Sequence, residues 1–374
     1  MPLMQSAPGA ETILDGRRYY YFAGTGYLGL QGHPEVLRAA AEAVYQYGLS
    51  SATSRTGFGN NPPTLDVEAR AANFFGQEAA FYYISGYVGN AILALWLRDQ
   101  FDVAFLDELA HYSVVEGLAM AQRPVLTFRH CDPDDLADKL AAQLKPGQRP
   151  LVMSDGVFPS LGHIAPIPAY VDALARYPGS LICLDDAHAG GTIGEAGRGT
   201  LDYFNLDGTR TARASGPVGL FFSGTLSKAL GGQGGIISGS REWIDQLKAS
   251  SHYYNGASQP AVPVAAASAK ALEIVTNQPE LRQQLHDNVR HAKDGLNRMG
   301  LDVEDTPVPI IPLTIGSGAN MERIQQALMQ QGIAIAYTRT YAGVGAEGLL
   351  RIAIFATHTP EMIDHLLGEL GECL

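Results

Sequence analysis

The chain has 374 residues, 46% hydrophobic and 17% charged, which excludes a mainly disordered polypeptide and leaves room for two domains of ordinary size. Its 26 Lys and Arg against 38 Asp and Glu give a formal charge of −12, so a nucleic-acid surface is not expected. Cys131, Cys183 and Cys373 lie far apart without metal-ligand or disulfide spacing, and no apolar run approaches the ~18 residues of a membrane helix, so a reducing, cytoplasmic setting with no membrane span is expected.

Taken in chain order, Arg18 to Phe22 predicts a short strand, followed by a loop at Gly24-Thr25-Gly26. Pro34 suits the first position of a helix that Gly48 can end. A polar, glycine-bearing loop covers Leu49 to Asn61, and a second helix covers Pro63 to Phe75. The middle alternates short strands with helices. Strands are expected at Ala79–Ile84, Val103–Leu106, Pro124–Phe128, Leu151–Ser154, Leu181–Leu184, Gly219–Ser223 and Gly235–Ser238. Several are continuous apolar runs, as strands buried on both faces require. Helices are expected at His111–Gln122, Asp132–Leu144 and Ile167–Tyr177, then at Gln259–Thr276 and Pro279–Met299. The remaining segments, Val308–Thr314, Met321–Gln330, Ile333–Tyr337, Leu350–Phe355 and Glu361–Leu370, suggest a smaller α+β unit. The pattern implies an α/β protein: a large three-layer domain with a mostly parallel sheet, and a smaller α+β domain. The expected division is an N-terminal segment 1–30 completing the smaller domain, a large domain 31–258, and a bridging helix with a small domain 259–374.

Four segments carry candidate chemistry. Phe221 to Gly232 is an apolar strand running into Thr225, Ser227, Lys228 and paired glycines. Read alone, it fits a helix start with an exposed lysine equally well. A partly buried lysine there could instead form a Schiff base with an aldehyde cofactor, provided its amine is deprotonated. Leu181 to His188 is a buried strand ending in Asp185, Asp186 and His188. Asp185 could hold a pyridine nitrogen protonated, and His188 could reach the ring's phenolic oxygen; a surface acid pair with a capping histidine is the plain alternative, and Asp186 fits that. His111, in Asp107 to Ser113, could lie against a planar ring or merely cap a helix. Ser85-Gly86-Tyr87 precedes a helix whose free N–H groups could bind phosphate.

In this order the segments resemble the α-oxoamine synthase family of fold-type I pyridoxal-phosphate enzymes. Further landmarks are Gly26-Tyr27-Leu28-Gly29-Leu30, Asn90, Asp185 through Gly199, Leu350-Arg351-Ile352 and Thr357-His358. The resemblance implies a fold-type I transferase using pyridoxal 5'-phosphate. It makes Lys228 the covalent cofactor lysine and a proton-transfer group, Asp185 the partner of the pyridine nitrogen, and His188 the group near the phenolic oxygen. His111 becomes the stacking histidine, Thr225 a phosphate hydroxyl beside Ser85, Gly86 and Tyr87, and Arg351 the grip on the amino-acid carboxylate.

Several positions depart from the family pattern. Thr25 and Gly26 stand where an Asn-Asp pair is common, which leaves Thr25 in the substrate-binding position without an orienting amide. Thr64 lies at a helix start that lacks the family's histidine. Asp155 replaces a glutamate in the cofactor region, and Pro159 removes a hydroxyl and an N–H. Gly256-Ala257-Ser258 matches a Ser-Thr-Ser stretch, leaving Ser258 to reach the phosphate of a neighbouring subunit in an expected homodimer. The implied activity is decarboxylative condensation of an amino acid with acyl-CoA or another acyl thioester, giving an α-amino ketone. A transaminase, racemase or retro-aldolase acting at the same α-carbon is the alternative.

Overall fold

The computed structural model describes residues 2–206 and 218–374. Its larger sheet has seven strands: β3 (Ala79–Tyr83), β4 (Val103–Asp107), β5 (Val125–Phe128), β6 (Pro150–Asp155), β7 (Ser180–Asp185), β8 (Val218–Thr225) and β9 (Gly235–Gly239). Their order is β3-β9-β8-β7-β6-β4-β5, parallel apart from β9. All of these strands but the edge strand β5 are buried along their whole length, which explains their unbroken apolar sequences. Alternate residues feed two cores. Phe105, Val152 and Ile182 face one layer, whereas Ala104, Leu151 and Cys183 face the other.

On one side, α1 (Pro34–Tyr47) and α2 (Pro62–Phe74) pack against α10 (Val262–Asn277), with Pro34 and Pro62 at the first helical positions. On the other, α3 (Gly89–Leu97) packs on α4 (Tyr112–Ala119). Between β5 and β7 run α5 (Pro133–Gln143) and α6 (Ile167–Leu174); a short α7 (Thr200–Tyr203) follows β7. Asp132 caps α5 by accepting the Asp135 N–H at 2.9 Å.

The smaller sheet joins β1 (Glu11–Leu14) and β2 (Arg17–Phe22) to β10 (Ile310–Leu313), β11 (Ile333–Thr338) and β12 (Leu349–Ala353), in the order β1-β2-β11-β12-β10. Its helices are α11 (Glu280–Arg298), α12 (Gly318–Gln330) and α13 (Pro360–Gly371), with α11 packed on α13. Strand β1 and the helices α8 (Arg241–Ser250) and α9 (His252–Asn255) are absent from the sequence expectation. The helix expected from Gln259 begins only at Val262, which places Pro263 at the second position, where its missing N–H costs no helical bond; the Gln259 side chain donates to Ser51 at 2.8 Å and to the carbonyl of Gly59.

The parallel register sets the position of the site. Asp155 pairs with Asp185, and Asp185 with Ser223, across β6, β7 and β8. Their carboxyl ends therefore deliver polar residues to one crevice, where ligands bind in open α/β sheets.

Candidate active site

A cavity of about 480 Å³ opens at these strand ends. It collects Thr25, Ser85, Gly86, Tyr87, His111 and Asp155, together with Asp185, His188, Thr225, Lys228 and Arg351. Every candidate named from the sequence lines it except Ser258, which is exposed and lies outside the cavity of its own chain.

Asp185 stands at the end of β7. Its Oδ2 accepts from Asn90 Nδ2 at 2.7 Å and lies 3.1 Å from Ser113 Oγ, while Oδ1 accepts the Ala187 N–H at 3.0 Å. Asp155 accepts the His111 N–H at 2.7 Å; burial, with Asp185 nearby, pushes its carboxyl well above the usual range. Asp186 is not a surface acid. It is buried and takes both the Thr200 hydroxyl, at 2.6 Å, and the Thr200 N–H, at 2.9 Å, and burial raises it to about 7.

Lys228 follows β8 and points inward, and burial lowers its ammonium to about 8. Its Nζ lies 2.8 Å from His188 Nε2, and His188 Nδ1 lies 2.8 Å from the Tyr27 hydroxyl. His188 is held well below its ordinary pKa by burial and by the neighbouring cations. Arg351, on β12, donates to the Pro159 carbonyl at 2.8 Å, the Gly24 carbonyl at 3.0 Å and the Tyr27 hydroxyl at 3.1 Å. Among the described residues no carboxylate pairs with it, although it is 9% exposed. The carbonyl of Pro159 thus serves the site at a position where the sequence suggested only a loss.

His111 precedes α4 as its capping residue, so the helix starts one residue later than expected. Its Nδ1 faces Ser113, and its Nε2 lies 2.7 Å from the Tyr341 hydroxyl. Burial lowers the imidazole below its ordinary pKa. Tyr341 comes from the loop between β11 and β12 and carries no local sequence signal for this position. Asn90 and Tyr27 are sequence landmarks whose contacts only the fold discloses. The landmark His358 lies apart from the cavity; it accepts the Phe355 N–H at 3.0 Å and packs on Phe22.

Pyridoxal phosphate fits this donor set. An ideal Cβ on Gly86 would sit 2.6 Å from the Thr225 Cβ, so glycine there brings the backbone of the turn close to the Thr225 side chain, while the Tyr87 N–H is held by Ser85 Oγ at 3.3 Å. Thr225 donates to the Gly234 carbonyl at 3.0 Å, which fixes its side chain. A carboxylate, a depressed lysine and an imidazole share the same cavity.

Comparison with known proteins agrees. The family described as Aminotransferase class I and II matches residues 23–370. The chain is 32% identical to an 8-amino-7-oxononanoate synthase of Symbiobacterium thermophilum over 372 residues, covering 99% of this chain and 92% of the relative. A relative of the same name from Trichlorobacter lovleyi is 33% identical, with 96% and 90% covered. Among solved structures, a serine palmitoyltransferase variant from S. paucimobilis with bound PLP and myriocin superposes with a TM-score of 0.90 at 25% identity, covering 100% of this chain and 92% of that one. The chain therefore belongs to the α-oxoamine synthases of the class I and II aminotransferase family, and is a pyridoxal-phosphate-dependent transferase that condenses an amino acid with an acyl thioester with loss of carbon dioxide.

Proposed function

We propose that the α-amino ketone is built in this cavity by Lys228, Asp185, His188, His111 and Arg351. The observation that carries this reading is the buried Arg351 guanidinium, which has no carboxylate partner among the described residues and shares one cavity with the lysine. A buried cation without an anion is costly, and a substrate carboxylate relieves that cost. Arg351 then fixes the amino acid with its α-carbon toward Lys228, whose Nζ holds the cofactor between turnovers and afterwards removes the α-proton. When bound, pyridoxal phosphate supplies the electron sink for the charge released at the α-carbon. Asp185 would hold the pyridine nitrogen protonated, and His188 would donate to the phenolic oxygen. Ser85, Gly86, Tyr87 and Thr225 would receive the phosphate, the Thr225 hydroxyl turning to it from the Gly234 carbonyl, while Asp155 and Tyr341 would hold His111 against the ring. Thr25 borders the amino-acid position without an amide.

The same reading makes the enzyme a homodimer. Tyr45 and Phe58 are 93% and 97% exposed on α1 and in its following loop, and Leu49 in that loop is exposed as well. Ser258, exposed on its own chain, then serves the partner's phosphate. The three cysteines are free thiols, which supports a reducing, cytoplasmic setting.

Incubating the cofactor-loaded enzyme with single amino acids, with and without acyl-CoA, tests the reaction. An aminoketone with equimolar free thiol and carbon dioxide is expected. A keto acid, an inverted amino acid or an aldehyde formed without thiol release would replace this reading with transamination, racemisation or retro-aldol cleavage.

A further inference from the structure

Tyr27 is completely buried, at 0% exposure, so its single hydroxyl proton must find an acceptor inside the protein. Its hydroxyl has two partners, Arg351 Nη2 at 3.1 Å and His188 Nδ1 at 2.8 Å. A guanidinium has no acceptor, so the Arg351 contact uses a lone pair of Tyr27. The Tyr27 proton therefore goes to His188 Nδ1, and a neutral imidazole that accepts at Nδ1 carries its own proton on Nε2. That N–H faces Lys228 Nζ at 2.8 Å. The donors thus run one way, from Arg351 through Tyr27 and His188 to Lys228, linking β12 of the smaller sheet to the lysine after β8 of the larger one.

We propose that Tyr27 is a positioning residue that fixes the proton of His188 on Nε2 and thereby favours Lys228 as a free amine, ready to capture the cofactor. An Nε2–H can donate only to an amine lone pair; an ammonium at the same distance would oppose it. Burial of the lysine acts in the same direction, and Lys228 is lowered to about 8. Of the other charged groups facing Lys228, Asp185 and Asp155 favour the ammonium and Arg351 opposes it. His188 is faced by Lys228, Arg351 and His111, all of which disfavour its charge. Removing the Tyr27 hydroxyl changes none of these charges; Arg351 gives up that one contact and keeps the Pro159 and Gly24 carbonyls. Without it, His188 is free to move its proton to Nδ1 and accept from an ammonium at Nε2. The inference rests on Lys228 as the cofactor lysine, but not on the condensation that follows.

The test uses the unloaded enzyme, ¹⁵N-labelled at histidine, with His188→Asn to assign the signal. The parent should show His188 as the Nε2–H tautomer. Tyr27→Phe, which keeps the ring packed against Phe355, should show a tautomer mixture or Nδ1–H. The pH midpoint for capture of pyridoxal phosphate should also rise in the variant, by about half a unit or more. An Nδ1–H tautomer in the parent overturns the proposal whether or not the variant folds. So does a Tyr27→Phe enzyme with unchanged tautomer and midpoint. Neither readout needs an amino acid or a thioester, so failure of the condensation reading is seen separately.

Discussion

Gln31 Nε2 donates to the main-chain carbonyl of Lys228 at 2.7 Å, tying the segment before α1 to the turn that presents the Lys228 side chain to the cavity. The room for Gln31 comes from Gly26, where an ideal Cβ would sit 2.7 Å from Gln31 Oε1. A side chain at position 26 and this glutamine therefore compete for one space. Gly26→Ala should displace the Gln31 amide and cost about 1 kcal/mol, that of its hydrogen bond to the Lys228 carbonyl, with faster loss of cofactor on dialysis. Gln31→Ala removes the obstacle, so the double variant should lose less than the sum of the two singles. Thermal unfolding of the four proteins checks this, and strict additivity would show that the two residues do not share the space.

Lys228 should be the residue that retains the cofactor after borohydride reduction and peptide mapping. In the unloaded enzyme, capture needs the free amine, so its rate should climb as pH rises through about 8 and fall away below it as the ammonium forms. Stopped-flow absorbance follows the reaction. A rate that ignores pH across that range, or an adduct on another lysine of active protein, would remove Lys228 from the role.

Asp185→Asn keeps a group of nearly the same shape beside Asn90 and Ser113 but removes the fixed negative charge. Because that charge assists most as negative charge leaves the α-carbon, exchange of the amino-acid α-proton in deuterated solvent should slow about 10²-fold or more. Phosphate binding, on the Gly86 and Thr225 side of the cavity, should change far less. Equal exchange rates at matched cofactor occupancy would contradict the assignment.

The exposed aromatic surface predicts assembly. Light scattering should give twice the chain mass for the parent, and Phe58→Asp should shift the protein toward monomer with weaker cofactor retention. Ser258→Ala should loosen the cofactor by about tenfold if its hydroxyl reaches the phosphate. In a mixed dimer of Lys228→Ala and Ser258→Ala subunits, one site then holds both native groups and recovers full affinity. A monomer with full cofactor affinity falsifies the shared site.

Much of the architecture is determined locally. Apolar runs such as Leu181–Leu184 are short enough to fit strands buried on both faces, and Pro34 starts a helix because its missing N–H costs nothing there, whereas the second helix begins at Pro62, one residue before the sequence suggests. The motif residues Lys228, Asp185, His188 and His111 are legible for a related reason: each follows a strand or opens a helix, so short-range sequence places it at the crevice. Arg351 is legible through its match to a family segment. What the tertiary structure decides is contact between residues far apart in sequence. Asp186 looks like any acid beyond a strand until Thr200 closes over it. Tyr341 meets His111, and Tyr27 meets both His188 and Arg351, only because the two sheets pack across one cavity. The direction of each proton in that chain follows from burial and from the partners available, and neither quantity is written in any window of the sequence.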